Sequence, residues 1–282
     1  MANYVSEYID VDGVHYDLAM KDHKNLLDNA WFTVNQRGAT TVQPWSIGVD
    51  RWASGDTAHT VNGSTLTIPS GTTVSQTLEG HDVLYGNTLT VSVLFTDGVI
   101  ESGTFTNPSS VIGGTVTTVF VGNRVQVETA LKTDENSWIR FKNISTSSIS
   151  IMAVKLEYGT VSTLALDHEP NYSEELLKCK RYFIIADGDP VTGYVFTDKK
   201  AWFKLDIAQK MREKPVMINA STAKILNGSN GTIATGLEVY KMGETNVALR
   251  TTSATSLTAG STFSGYIQVT DYGSGIPLSA DL

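Results

Sequence analysis

The chain has 282 residues, a formal net charge of −8, and 18% charged against 41% hydrophobic residues. This length and composition predict a folded protein of about two domains and exclude a disordered chain. Nucleic-acid binders concentrate Lys and Arg on one surface, so the acidic balance argues against nucleic acid as a partner.

Cysteine content and the start of the chain narrow the class of protein further. The single cysteine, Cys179, excludes an internal disulfide framework and a cysteine-based zinc site. The first residues show no basic segment followed by an apolar one, and no apolar run approaches the roughly 18 to 20 residues of a membrane span. We therefore expect synthesis in a cytoplasm and no membrane partner.

Residues 1–24 predict a hairpin at the N-terminus. Asp12-Gly13 is flanked by alternating apolar residues in Tyr8–Val11 and Val14–Leu18, and an Asp-Gly pair favours a tight two-residue turn. A lone hairpin is marginally stable in water, so we expect this segment to attach to a partner. The Asp10-x-Asp12 spacing lacks the later ligands of a calcium loop, and no metal site is predicted.

Residues 25–160 alternate apolar and polar side chains over several short runs. Turn signals such as Asn62-Gly63, Asp97-Gly98 and Gly122-Asn123 separate these runs. Short strands at this spacing, with no helical stretch between them, predict an antiparallel β-sandwich. The predicted strands are Thr65–Ile68, Val74–Leu78, Leu89–Phe95, Val116–Val121, Val125–Thr129, Trp138–Phe141 and Ile149–Leu156.

Residues 161–183 predict a linker followed by a short helix. Ser173 is placed to cap the helix, and Glu174-Glu175 suits the positive end of its dipole. A helix of two or three turns is not stable alone, so its apolar side chains must be buried, either in the chain's own core, as is usual for a lone cysteine, or between three copies around an axis. The predicted trimer contacts are Leu176, Leu177, Cys179 and Phe183.

Residues 184–282 predict a second antiparallel β domain, also a sandwich. Alternation is clear in Tyr194/Phe196, Trp202/Lys204 and Tyr266/Gln268. Loops rich in Gly, Ser, Thr and Asn at 226–236 and 253–261 are predicted to be exposed tips, where binding residues are common. The predicted fold class is therefore all-β: two antiparallel β-sandwich, jelly-roll-like domains joined by a linker and a short helix, with a short N-terminal hairpin.

Motifs for catalysis and cofactor binding are missing from the sequence. There is no Gly-x-Ser-x-Gly elbow and no phosphate-binding glycine loop, and the five histidines do not stand at metal-ligand spacing. We predict no catalytic residues, no cofactor and no enzyme activity. A pair of carboxylates that cleaves glycosides stays open, because sequence does not reveal such a pairing.

Binding is the function class that remains, and aromatic residues are its candidates. Sugar-binding surfaces present flat aromatic rings that stack on the C–H faces of sugars. Trp31 and Trp52 fit a core role better than a ligand role, and Tyr194 and Trp202 fit both. The predicted carbohydrate-binding residues are Trp45, Trp138, Tyr240, Tyr266 and Tyr272.

The stretch around the domain junction resembles a known family. It reads Ala-Val-Lys-Leu-Glu-Tyr-Gly at 153–159, then Glu169-Pro170, then Tyr-x-Glu-Glu-Leu-x-x-Cys-x-Arg-Tyr-Phe at 172–183. Together with Asn-Leu-Leu-x-Asn at 25–29 and Asp-Arg-Trp at 50–52, it resembles the receptor-binding tail proteins of bacteriophages and prophages. The segment 25–159 is similar to jelly-roll modules of the carbohydrate-binding type, whose first and last strands lie together.

The resemblance implies a homotrimer in the tail of a virion, made in the cytoplasm of a host bacterium. Its N-terminal segment would dock on a baseplate or tail protein, and its C-terminal domain would recognise a host cell-surface polysaccharide or teichoic acid. Two other classes stay open: a carbohydrate-binding module of a secreted enzyme, and a structural baseplate or decoration protein without a ligand. The expected domains are 1–24, 25–160, 161–183 and 184–282.

Overall fold

The computed structural model describes residues 8–11, 14–17, 24–78, 86–107, 116–130, 137–186, 189–197, 200–207, 210–212, 214–217, 223–226, 232–254, 259–260, 262–269 and 276–280. For some of the strand residues in these ranges only the backbone is described. The described ranges contain 23 β-strands, one α-helix and one short 3-10 helix. The predicted all-β fold class is confirmed.

The elements follow one another in chain order. The first fourteen strands are β1 (Tyr8–Val11), β2 (Val14–Asp17), β3 (Thr41–Val42), β4 (Ile47–Val49), β5 (Trp52–Ser54), β6 (His59–Asn62), β7 (Thr65–Ile68), β8 (Thr73–Thr77), β9 (Thr88–Phe95), β10 (Ile100–Thr106), β11 (Val116–Val121), β12 (Val125–Ala130), β13 (Trp138–Asn143) and β14 (Ile149–Tyr158). A 3-10 turn (Leu164–Leu166) and the helix α1 (Tyr172–Cys179) come next. The remaining strands are β15 (Phe183–Ala186), β16 (Pro190–Thr197), β17 (Lys200–Asp206), β18 (Val216–Met217), β19 (Ala223–Leu226), β20 (Thr232–Met242), β21 (Asn246–Ala254), β22 (Thr262–Val269) and β23 (Ile276–Ser279).

The chain divides into two compact units. The N-terminal unit consists of residues 1–31 and 55–169, and the C-terminal unit of residues 32–54 and 170–282. Residues 32–54, which the sequence grouped with the jelly-roll segment 25–160, therefore belong to the same unit as the C-terminal strands. The N-terminal hairpin has the predicted form, because β1 and β2 pair antiparallel with Val11 opposite Val14.

Two antiparallel sheets form the N-terminal unit. One runs in the order β10-β9-β14-β7-β6, and the other includes β11-β12-β13-β8. Alternate residues are buried on β7, β8 and β13, among them Leu66, Val74 and Phe141. This period-two burial places one side of each sheet in an apolar core. Strand β9 differs, because Leu89–Val93 is buried on both sides.

The start and the end of this unit lie together, as the resemblance to jelly-roll modules implies. The backbone N–H of Leu26 donates to the carbonyl of Leu156 at 2.8 Å. The Asn25 side chain continues the pairing, since its amide donates to Val154 O at 2.7 Å and its oxygen accepts from Leu156 N at 3.1 Å. The asparagine amide thus replaces a strand residue at the point where the chain enters the domain.

A strap formed by residues 159–167 covers the outer side of β14 and β9. It begins at Gly159, whose φ of 101° is a conformation that L side chains rarely adopt. Thr90 Oγ1 donates to Gly159 O at 2.8 Å and Ser92 Oγ donates to Ser162 Oγ at 2.7 Å. Beneath the strap, Lys155 and Glu157 of β14 are fully buried.

His59 on β6 of the N-terminal unit is buried. Because of this burial, we expect the folded state to lose stability in acid. Burial lowers the pKa of His59 below its ordinary value of 6.5, and the charge of Asp56 opposes this shift only in part. The folded state therefore binds fewer protons than the unfolded state, so stability is full above about pH 6.5 and falls as the pH drops toward the folded pKa. We expect the melting temperature to decline below about pH 6.5 more steeply in the natural protein than in His59→Gln.

The comparison is made by calorimetry over a pH series. Both proteins carry the same carboxylates, so general acid denaturation cancels in the difference between them. If the melting temperatures of the two proteins declined in parallel between pH 7 and about pH 5, the claim that protonation of His59 destabilises the fold would be wrong.

A packed corner at Asp50-Arg51-Trp52 belongs to the C-terminal unit. Asp50 accepts from Gln36 N at 2.7 Å and from Arg37 Nη1 at 2.9 Å. Arg51 has a φ of 74°, a costly conformation for a residue other than glycine, and its guanidinium lies 3.4 Å from the centroid of the Tyr182 ring. Trp52 is buried against Phe32, so its prediction as a core residue is confirmed.

The N-cap of helix α1 lies two residues earlier than the sequence pattern predicts. Its N-cap is Asn171, whose side chain accepts from the N–H groups of Ser173 and Glu174, and the predicted cap Ser173 lies inside the first turn. Of the predicted trimer contacts, Cys179 and Phe183 are buried inside the chain, so the structure removes them from any outer surface. Leu177 is exposed and Leu176 is half-buried.

The C-terminal strands form a closed barrel of six strands. The pairing order is β16-β17-β21-β20-β19-β22, and β22 returns to pair with β16. Inward residues such as Val191, Phe203, Leu237 and Leu249 fill its core. Closure leaves this sheet without an open edge, which the strand pattern alone did not predict. A separate three-stranded sheet, β15-β23-β18, completes the unit.

Candidate functional site

Four aromatic side chains lie side by side on the outer surface of the barrel. We call Tyr194, Phe196, Trp202 and Tyr240 the aromatic row. The ring centroids of Tyr194 and Phe196 are 5.1 Å apart, those of Phe196 and Trp202 are 4.6 Å apart, and those of Trp202 and Tyr240 are 5.0 Å apart. The four side chains keep 46%, 45%, 40% and 42% of their area exposed, respectively. Exposed aromatic area of this extent on one face indicates an interaction site.

Strand register explains the positions of two members of the aromatic row, Tyr194 and Trp202. Tyr194 on β16 is directly opposite Trp202 on β17, and both alternate with buried neighbours. Trp202 is in turn opposite Arg250 on β21, which is opposite Glu238 on β20. Side chains at directly opposed positions contact one another across a sheet. Thr262 on β22 is directly opposite Tyr194 and continues this line of opposed residues on the other side of β16.

The other two members of the row, Phe196 and Tyr240, lie at β-bulges. The register of β16 against β17 shifts between Val195 and Thr197, and the extra residue is Phe196. The register of β20 against β21 shifts between Val239 and Lys241, and the extra residue is Tyr240. Bulges redirect side chains and are frequent beside functional sites.

A groove runs beside the aromatic row. It is an open cavity of about 710 Å³ whose lining includes Tyr194 and Trp202. Its polar lining comes from Thr192, Lys204, Thr262 and Ser264. The lining also includes Ala248 on β21. The rings of Trp202 and Tyr240 stack at an interplanar angle of 27°.

The charged groups around the groove form ion pairs with each other. Arg250 Nη2 is 2.6 Å from Glu238 Oε1, and the Arg250 guanidinium lies 5.0 Å from the Tyr240 ring centroid. Lys204 Nζ is 2.7 Å from Asp206 Oδ1. The surface therefore offers apolar ring faces and edges, hydroxyl groups and balanced charges. This combination suits a ligand with both apolar faces and hydroxyl groups.

The structure places the predicted binding residues in different settings. Tyr240 belongs to the aromatic row. Trp45 is 78% exposed in a turn with a φ of 56°, and it lies outside the barrel strands. Trp138 is half-buried on β13 with the Arg140 guanidinium 4.3 Å from its ring centroid. Tyr266 lies on β22 opposite Pro190, with its side chain outside the described residues, and Tyr272 lies outside them entirely.

Three members of the row were not among the predicted site residues. The sequence fits both a core role and a ligand role for Tyr194 and Trp202, and it identifies Phe196 only as part of an alternating strand. The signal that distinguishes them is the pairing of two aromatic strands through a short connection, where Tyr194 and Trp202 fall opposite each other. Phe196 and Tyr240 lie two residues after the exposed Tyr194 and Glu238, so strand alternation already turns them outward, whereas the bulges beside them have no marker in the sequence.

The described residues offer neither a metal-binding cluster nor a membrane-spanning helix. No group of three or more His, Cys, Asp or Glu side chains in these ranges is arranged to hold a metal ion. Among the same residues, no helix has the length and apolar character to cross a membrane.

Comparison with known proteins adds no identification. No family model matches the sequence, and neither a similar curated protein nor a similar solved structure is found. The site is therefore interpreted from its own geometry.

Proposed function

We propose that this protein is a non-enzymatic receptor-binding protein of a phage tail, which recognises host cell-surface carbohydrate through the C-terminal barrel. The observation that carries the proposal is the aromatic row beside a groove with hydroxyl groups. The rings of Tyr194, Phe196 and Trp202 pack edge to face at 80° and 67°, so the row contacts the apolar faces of sugar rings through its exposed ring edges and the outer side of the Trp202–Tyr240 stack. The hydroxyls of Thr192, Thr262 and Ser264 exchange hydrogen bonds with sugar hydroxyls. Polysaccharides and teichoic acids both present such groups.

Two further parts of the proposal concern assembly. The hairpin β1-β2 forms a separate two-stranded sheet among the described strands, which supports attachment of the N-terminus to a baseplate or tail protein. A homotrimer in the virion tail would present several binding sites at once, and linked weak sites gain roughly a hundredfold or more in avidity. Exposed Leu177 on α1 supports an apolar contact between copies.

Adsorption to bacterial cell walls tests the proposed function. The full chain is incubated with cell-wall preparations from a panel of bacteria, before and after periodate oxidation, which cleaves the vicinal diols of sugars. We expect retention on at least one wall and its loss after oxidation. Retention that survives periodate but is lost after protease treatment of the wall would identify a protein receptor. Absence of retention on every wall would favour a structural virion protein.

The molar mass in solution tests the proposed trimer. We expect light scattering to give a mass near three times 30.5 kDa. Leu177→Lys is expected to lower the mass toward that of one chain, because it places a charge in an apolar contact. Leu166→Lys, which also alters an exposed leucine, is the matched control and is expected to keep the mass of the natural protein. A monomeric natural protein would contradict the trimer.

A further inference from the structure

We infer that the groove takes a linear, uncharged glycan segment of roughly three sugar rings, lying across the strands rather than along them. This inference rests on the proposed function, since it specifies the ligand of the same site. It follows from the register of the outward residues, from the position of the aromatic row, and from the charge balance around the groove.

The direction of the groove follows from a second row of outward residues. Ser264 on β22 is opposite Thr192 on β16, Thr192 is opposite Lys204 on β17, and Lys204 is opposite Ala248 on β21. These four residues form a line perpendicular to the strands, and all of them line the groove. Tyr194 and Trp202 lie two residues along the same strands, so their rings form one wall of the groove along this line.

The length of the line sets the length of the ligand. Four neighbouring strands span three strand spacings of about 4.8 Å, which is about 14 Å. A sugar ring in a linear chain is about as long as one strand spacing, so roughly three rings match the line. Beyond Ala248 the line meets Lys241 on β20, which is directly opposite Ala248.

The charges around the groove favour an uncharged ligand. Arg250 and Lys204 are each neutralised by a carboxylate, Glu238 and Asp206. A polyanion would bring its charges against these two carboxylates and against a chain of net charge −8. Lys241 adds one exposed cation at the end of the line, which is too little to balance a charge on every sugar. Ring stacking and hydroxyl contacts need no charge on the ligand.

A glycan array tests this inference with the full chain. The array carries neutral and acidic linear glycans, from single sugars to hexasaccharides. We expect binding to neutral glycans, a signal that rises up to the trisaccharide and then levels, and little change between low and high salt. Trp202→Ala is expected to remove the binding.

The outcomes separate the inference from the proposed function. Binding confined to acidic glycans and weakened by salt would overturn the uncharged ligand while the carbohydrate function stands. A single sugar that binds as tightly as a trisaccharide would overturn the extended ligand. Binding to no glycan on the array, by a protein that is retained on periodate-treated walls, would overturn both.

Discussion

Replacement of Lys155 by methionine is expected to lower the free energy of unfolding by about 3–5 kcal/mol. The Lys155 ammonium is fully buried, and it donates to Thr163 Oγ1 at 2.8 Å and to Asp167 Oδ1 at 2.7 Å. It also lies 3.7 Å from Oε2 of Glu157, whose side chain is fully buried as well. Removal of the ammonium leaves the Glu157 carboxylate buried without its counter-charge. The strap 159–167 then loses its two contacts with Lys155, while Thr163 N still donates to Glu157 Oε1 at 2.8 Å.

Urea denaturation measures the free energy of unfolding of Lys155→Met and of two further variants with which it is compared. Lys210→Met is the matched control, because Lys210 forms an exposed ion pair with Glu244 that contributes less than about 1 kcal/mol. The double variant Lys155→Met/Glu157→Leu is expected to recover part of the stability, since it removes both buried charges. A Lys155→Met protein as stable as the Lys210→Met control would show that the buried pair does not hold the strap.

Replacement of Trp202 by alanine is expected to weaken adsorption to the bacterial surface by roughly thirtyfold or more. Trp202 is the central member of the aromatic row, with Phe196 on one side and Tyr240 on the other. Central aromatic residues of a binding surface typically cost 2 kcal/mol or more when truncated to alanine, which corresponds to this factor. The exposed side of the ring takes little part in the barrel core, so the fold is expected to remain.

Adsorption is measured on the wall preparation that retains the natural protein. Phe120→Ala is the matched control, because Phe120 is an exposed aromatic residue on β11 of the N-terminal unit. It is expected to adsorb like the natural protein. Equal loss in both variants would mean that exposed aromatic residues act without a defined site. Unchanged adsorption of a folded Trp202→Ala would remove the aromatic row from the proposed function.

Regular strands were predictable because their local pattern decides them. Val116–Val121 has the predicted bounds, because its β-branched and aromatic residues favour extended backbone even though Val116 and Phe120 are exposed. Ile100–Thr106 was not predicted as a strand, because only two of its residues are large and apolar and it contains Gly103. A side chain at Gly103 would come 2.6 Å from the carbonyl oxygen of Phe120, so its glycine reflects contact with a distant strand. Sequence alone does not show such a contact.

The candidate site was predictable only in part, for a similar reason. Aromatic residues on C-terminal strands were recognised as candidates, and Tyr240 is one of them. Whether such a residue faces the core or the solvent depends on register, and the two bulges change that register locally. The polar segment 226–236 was predicted as an exposed loop, yet Thr232 already begins β20. Closure of the barrel depends on pairing between β16 and β22, which are far apart in the chain.

The most direct test follows the indole N–H signals of the five tryptophans by nuclear magnetic resonance during titration with a glycan from the adsorbing wall. Each signal is assigned by substitution of one tryptophan at a time. We expect the Trp202 signal to shift on binding and the signal of buried Trp52 to stay unchanged. A shift confined to Trp45 or Trp138, with Trp202 unchanged, would place carbohydrate recognition elsewhere and contradict the assignment of the barrel surface.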